Sequence, residues 1–354
     1  MVHSQLDKLH LDKFSLEELR ELIQKAQDFV SAMETSGLRD RDIKLTGIIF
    51  QNGRVCPHCG GTHVIKNGKD HCGFQRYLCK NAECGKTFSI STGTILQATK
   101  KSVADWENVF ECMSQKMTCR EIAKEIGINK ETARIWRYKL STALSKLRSE
   151  TKTKGKVEAD EKVMPLSFKG NHTMTKAYHK MHRPPHTSGG QAGKRGISKE
   201  QVSVPTAVDA EGRAVAGVGN RGSVNTKALD AVLGQQIDED ASLHTDKSRA
   251  YLRFAKKLGL DLHQHKGGRS KDGKRMMLPH VNACHTGMEG LINVLFRGVA
   301  TKYLQLYLDW YTQMLYCKES TRNGLSKLIR LVFGTGTTIR WKELMERPAV
   351  PCIA

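Results

Sequence analysis

KVEADEKVM, residues 156 to 164, is the stretch on which the fold turns. It reads as a strand: successive side chains point to opposite faces, so Glu158 and Asp160 share one face while Glu161 points to the other. An aspartate inside an apolar strand is costly to bury unless it is paired or binds a cation. Downstream, QVSVPTAVDAEGRAVAGVGNRG gives two strands broken by a turn at Asp209 to Gly212, and NTKALDAVLGQQI gives a helix. Then come a strand ASLHTD, a helix SRAYLRFAKKLG, a short strand DLHQH and a helix that includes HVNACHTGME, residues 280 to 289. Three meandering strands followed by alternating helices and strands make a mixed α/β domain with helices on a sheet. Asp246 ends the strand ASLHTD, and the carboxyl end of a sheet strand is where side chains commonly meet ligands. Asp160 and Asp246 converge if their two strands are neighbours. On the last helix Asn282, His285 and Glu289 stand three and four residues apart, on one face.

The chain has 354 residues, 39% of them hydrophobic, enough for two or three modules with buried cores. Lysine and arginine total 57 against 36 acidic residues, a formal charge of +21 that favours a polyanionic partner, nucleic acid first. Converging carboxylates in so basic a protein point to divalent metals acting on phosphodiesters. No long apolar run and no signal-peptide core are present, so a cytoplasmic location without membrane contact is expected. Four of the ten cysteines have metal-ligand spacing and the rest are scattered, which fits a reducing compartment better than a disulfide framework.

The front of the chain carries separate modules. Ser15 with Glu18 forms a capping box before an amphipathic pattern from Leu16 to Met33, within an N-terminal helical segment 1–48. Residues 49–98 form a zinc ribbon. Cys56 and Cys59 (C-x2-C) and Cys79 and Cys84 (C-x4-C) supply four thiolates, with His58, His63, His71 and Cys72 near enough to substitute. Residues 99–150 read as a helix-turn-helix. Ser102 can cap the first helix, Thr118 with Glu121 the second, and Asn129 the third after a turn at Gly127. Lys130, Thr132, Arg134 and Arg137 then lie near the start of the recognition helix, where side chains reach DNA. TKTKGK, 151 to 156, reads as a basic linker into the larger domain, 151–316. Two stretches crowded with basic residues, 169–200 and 265–275, suit DNA backbone contacts. The tail, 317–354, carries no assignable function.

The order of zinc ribbon, helix-turn-helix, VEADE strand, HTDKSRAY strand and HVNACHTGMEGLINVLFRGVATKYLQLYLDWY resembles bacterial insertion-sequence transposases that carry a zinc ribbon ahead of a DDE domain. The likeness covers roughly residues 50 to 316 and implies a ribonuclease H-like fold, a mixed sheet with flanking helices. It implies Asp160 on the first strand, Asp246 at the end of the fourth, and a third position on the helix beginning near Val281. Two Mg²⁺ or Mn²⁺ ions would there act on double-stranded DNA, at transposon ends and target, through a homo-oligomer, with structural Zn²⁺ in the ribbon. The implied activity is binding of terminal inverted repeats, cleavage and strand transfer beside the bacterial nucleoid. Relatives often carry Asn-x-x-Glu at the third position, whereas this chain has Asn282-x-x-His285 and a glutamate only at Glu289. Either His285 with Asn282 completes the site, or Glu289 does, or the site is damaged and the protein is an inactive DNA-binding factor derived from a transposase. A ribonuclease H or a resolvase would share the rear fold but has no need of both front modules.

Overall fold

The computed structural model describes residues 53–69, 75–97, 99, 101–169, 196–266, 277–316 and 341–348, with the isolated positions 15, 20, 24, 50, 332, 334 and 335. The predicted N-terminal helix, most of both basic stretches, the tail up to Trp341, His71 and Cys72 lie outside the described residues, isolated positions aside. The chain divides into two compact units, Met1–Thr92 with Thr99–Ala104, and Gly93–Ala98 with Asp105–Ala354. Among the described residues no helix is long and apolar enough to cross a membrane.

The first unit holds an antiparallel sheet, β1 (Val64–Lys69), β2 (Gln75–Cys79) and β3 (Thr87–Ser89), in that spatial order. Among its described residues the apolar interior is small. Tyr77 stacks on Phe88 with ring centroids 5.6 Å apart and meets Phe50 edge-on at 5.3 Å.

The second unit begins with helices α1 (Val103–Ser114), α2 (Cys119–Ile126) and α3 (Lys130–Glu150). The capping box expected at Thr118 and Glu121 forms, and Gly127 turns the chain in the left-handed region at φ 67°. The Asn129 side chain accepts the Glu131 N–H at 2.8 Å to start α3. Trp106 of α1 stacks on Trp136 of α3 with centroids 4.0 Å apart.

Behind these helices stands a five-stranded sheet, β4 (Lys156–Pro165), β5 (Gln201–Asp209), β6 (Ala214–Ala216), β7 (Ser242–Asp246) and β8 (Asp261–His265), in the spatial order β6-β5-β4-β7-β8. The first three strands form an antiparallel meander, turned at Gly212 with φ 84°. Helix α4 (Thr226–Leu233) then carries the chain across to β7, which lies parallel to β4, and α5 (Arg249–Leu258) leads on to parallel β8. Val157, Ala159, Ala207 and Leu243 face Leu229, Tyr251 and Phe254 of α4 and α5 in the main core. Helix α6 (Pro279–Glu289) lies over the opposite face, passes into a π-helical turn at Gly290–Leu295, and is followed by α7 (Thr301–Trp310). This order of strands and this pattern of parallel and antiparallel pairs are those of a ribonuclease H-like domain.

The basic linker TKTKGK is held in the fold: Thr153 is fully buried, donates its N–H to the Gln236 carbonyl at 2.8 Å and accepts the Asp238 N–H at 3.0 Å. Composition marked this stretch as polar, but only the neighbouring chain shows that its backbone groups are paired. Helix α3 is likewise tied to α7: Ser145 donates to Asp309 at 2.5 Å and Arg148 pairs with the same buried carboxylate at 2.8 Å.

Candidate active site

Strand order places two carboxylates together. Val157 pairs with Leu243 and Glu158 with His244 in the parallel β4–β7 ladder, and continuing that register sets Asp160 beside Asp246 on one face. This is where the strand order reverses: β5 and β6 lie on one side of β4, β7 and β8 on the other. The crevice outside the carboxyl ends of the strands at such a reversal is the usual ligand position of open α/β sheets. Burial, with the Asp246 charge adding to it, pushes the Asp160 carboxyl up to about 6. Among the described residues, no lysine or arginine stands within ion-pair distance of either aspartate; His285 Nδ1 lies 4.0 Å from Asp160 Oδ2, and the Lys162 charge acts on Asp160 from further off. Two half-buried carboxylates with no lysine or arginine paired to them fit a divalent cation.

Helix α6 is laid along β4 in register. Glu158 of β4 accepts the His280 and Val281 N–H groups at 2.7 and 3.2 Å, an anion at a helix N-terminus. Asp160 faces His285, and Lys162 pairs with Glu289 at 2.6 Å. Two residues of a strand advance ~6.6 Å and four of a helix ~6 Å, so positions 158, 160 and 162 keep step with 281, 285 and 289. His285 is only 5% exposed, and burial, reinforced by the Lys162 charge, lowers it to about 4, so its imidazole is neutral near pH 7. Its Nε2 is buried and has no hydrogen-bond partner. Glu289 is exposed, with its carboxylate held ionised by the hydrogen bond from Lys162. The Asn282 amide donates to the Leu278 carbonyl at 2.7 Å.

Residues 167–312 match the family model of the ISXO2-like transposase domain. Over this span the chain is similar to an insertion-sequence transposase domain. The matched span runs from just after β4 to just past the end of α7, so it includes Asp246, Asn282, His285 and Glu289, while Asp160 lies ahead of it and joins through the sheet. Among solved structures, a pre-cleavage Mos1 transpososome overlaps 66% of this chain and 80% of its own at 10% identity and a TM-score of 0.26. The Mos1 mariner paired-end complex with Mn overlaps 68% and 81% at 12% identity and a TM-score of 0.25. At those scores the fold assignment rests on the sheet topology.

The chain has one more carboxylate near this centre, at a position the sequence reading left unused. Glu161 lies beside the buried Tyr251, and burial, followed by the charges of Asp160 and Asp246, raises it to about 7. Glu158 also gained a role that only packing reveals, since alternation put it on the Asp160 face but could not place α6 above it.

In the first unit the Sγ atoms of Cys56, Cys59, Cys79 and Cys84 all lie within 4.8 Å of one another. The Cys56–Cys84 and Cys59–Cys79 separations are 3.8 and 3.6 Å, against ~3.8 Å between sulfurs bonded at ~2.3 Å to a tetrahedral zinc. The donor set fits Zn²⁺, and His58 and His63 are exposed and take no part in the cluster.

Helix α3 departs from expectation at Arg137. Lys130 is exposed, and Thr132 and Arg134 are half-buried, with Arg134 Nε 2.9 Å from Glu131. Arg137 instead is buried at 5% exposure among Phe296, Tyr307 and Trp310, its guanidinium carbon 4.9, 5.3 and 5.5 Å from the ring centroids. It donates to the Tyr307 hydroxyl at 2.7 Å. The helical spacing that grouped it with the DNA-facing residues could not show that α7 covers this side of α3.

Proposed function

We propose that the protein is an active DDE-type transposase, a polynucleotidyl transferase that binds the terminal inverted repeats of an insertion sequence and catalyses metal-dependent cleavage and strand transfer. The observation that carries this reading is the juxtaposition of Asp160 and Asp246 under His285 without a paired cation. Asp160 and Asp246 would hold Mg²⁺ or Mn²⁺, whose chemistry is to activate the attacking oxygen and stabilise the leaving one. Of the candidates for the third corner, the geometry favours His285 with Asn282. His285 already faces Asp160 as a neutral imidazole with a free ring nitrogen, whereas Glu289 is engaged by Lys162. Lys162 and Glu158 then act as positioning residues that keep α6 in step with β4.

Lys130, Thr132 and Arg134 near the start of α3 are the proposed terminal-repeat contacts, and the four-cysteine cluster is a structural zinc site. The boundaries 1–48, 49–98, 99–150, 151–316 and 317–354, action near the nucleoid and assembly as a homo-oligomer on paired ends complete the proposal. The inactive-factor alternative is less favoured because the acidic pair is intact.

The test uses the full-length protein, Mn²⁺ and a labelled terminal-repeat duplex. Asp160→Ala or Asp246→Ala should abolish cleavage, and His285→Ala should lower it by ~10²-fold or more while Glu289→Gln lowers it far less. Titration calorimetry of Mn²⁺ should show the same ranking. Cleavage that survives both aspartate changes would sink the assignment.

A further inference from the structure

Three histidines beside the acidic pair have no part in the mechanism above. In the β7–β8 ladder His244 pairs with His263 and Asp246 with His265, so all three imidazoles stand on the face that carries Asp160 and Asp246. Their rings are nearly parallel: His244 and His263 have centroids 4.7 Å apart at 16°, and His244 and His265 5.2 Å apart at 9°. Each ring is held. His263 Nε2 is 2.9 Å from Asp261, His244 Nε2 is 3.2 Å from Ser242 Oγ, and His244 Nδ1 is 2.9 Å from His265 Nε2. The outer ring, His263, lies on the edge strand with 48% of its side chain exposed. Lys156 and Lys266 beside this row are exposed cations.

A fixed row of parallel rings, half-exposed at its outer end at His263 and with cations at its margin, suits the face of a nucleobase near a phosphate backbone. A base inside a duplex has both faces covered, so only one freed from pairing can use it. We propose that the imidazole row His263–His244–His265 is a stacking platform for an unpaired base of the DNA strand next to the reacting phosphate, with Lys156 and Lys266 meeting its backbone. This rests on the transposase reading above and adds to it a site for locally opened DNA. Because the rings are ordered before DNA arrives, little side-chain entropy is lost on binding.

The experiment compares the wild-type protein, His263→Ala and His263→Phe on two probes in Ca²⁺: a fully paired terminal-repeat duplex, and the same duplex with a short single-stranded flank at the cleavage end carrying 2-aminopurine. The expected result is that all three bind the paired duplex alike. On the flanked probe wild type and His263→Phe should quench the fluorophore, whereas His263→Ala should lose the quenching and ~10-fold in affinity, the range of one base-stacking contact. Equal unfolding midpoints would show that the edge strand is intact. The proposal is overturned if His263→Phe behaves like His263→Ala, if all three quench equally, or if quenching requires added Zn²⁺ or Ni²⁺, which would make the row a metal site. A wild-type protein that fails to bind even the paired duplex would overturn the transposase reading itself, a separate outcome.

Discussion

Asp160 is ill-suited to the folded chain unless something neutralises it. Its carboxyl is raised to about 6 from a model-peptide value of 3.8, so folding penalises its charge fully above about pH 6 and not at all below about pH 4. Asp160→Asn should therefore stabilise the metal-free protein by ~1–3 kcal/mol near neutral pH, with the gain vanishing in acid. Thermal unfolding with chelator at several pH values measures this, and saturating Mn²⁺ should reverse the order of the two proteins. His285 has the opposite sign. A folded value of about 4 against 6.5 means that the unfolded chain takes up the proton first, so stability falls as the pH drops from about 6.5 towards 4. His285→Gln should flatten that loss by ~2 kcal/mol in denaturant titrations at about pH 7 and pH 5. The sequence displayed Asp160, Asp246 and the trio on the later helix as candidates. It could not rank His285 against Glu289, because their difference is a contact with Lys162 on another element.

At the scale of elements, the pairing of α6 with β4 decides the site. Both run in step because two strand residues and one helical turn have nearly the same length, so three successive side-chain pairs meet. Gly287 lets the helix approach its neighbour closely, since a Cβ there would overlap the Tyr311 hydroxyl. Gly287→Ala should cost ~1–3 kcal/mol in urea unfolding and slow Mn²⁺-dependent cleavage, with Tyr311→Phe in the same chain recovering part of both. An unchanged unfolding midpoint in Gly287→Ala would show that α6 yields there freely. The capping signals of α2 and α3 and the alternation of β4 were legible, being local. That Arg137 points into an aromatic enclosure was not, because Phe296, Tyr307 and Trp310 come from far along the chain.

At the scale of the whole molecule, the two units draw on different sources of stability. The described residues of the first bury few large apolar side chains and gather four thiolates, so metal should supply much of their folding free energy, ~10–16 kcal/mol in comparable small domains. A strong zinc chelator should unfold the ribbon and leave the second unit's melting transition in place. Far-UV circular dichroism with metal analysis checks this, and protein purified without zinc that melts identically would refute it.

The sequence by itself determined the parts: cysteine spacing, capping boxes, the strand of alternating faces that holds Asp160, and the excess of positive charge. Each depends on residues within a turn or two of one another, where chemistry and spacing suffice. Only the tertiary structure decided which parts meet. The β4–β7 register joins Asp160 to Asp246, α6 brings His285 to them and leaves Glu289 to Lys162, and α7 removes Arg137 from the surface. Those contacts join residues far apart in the chain, held by packing whose partners no local pattern names.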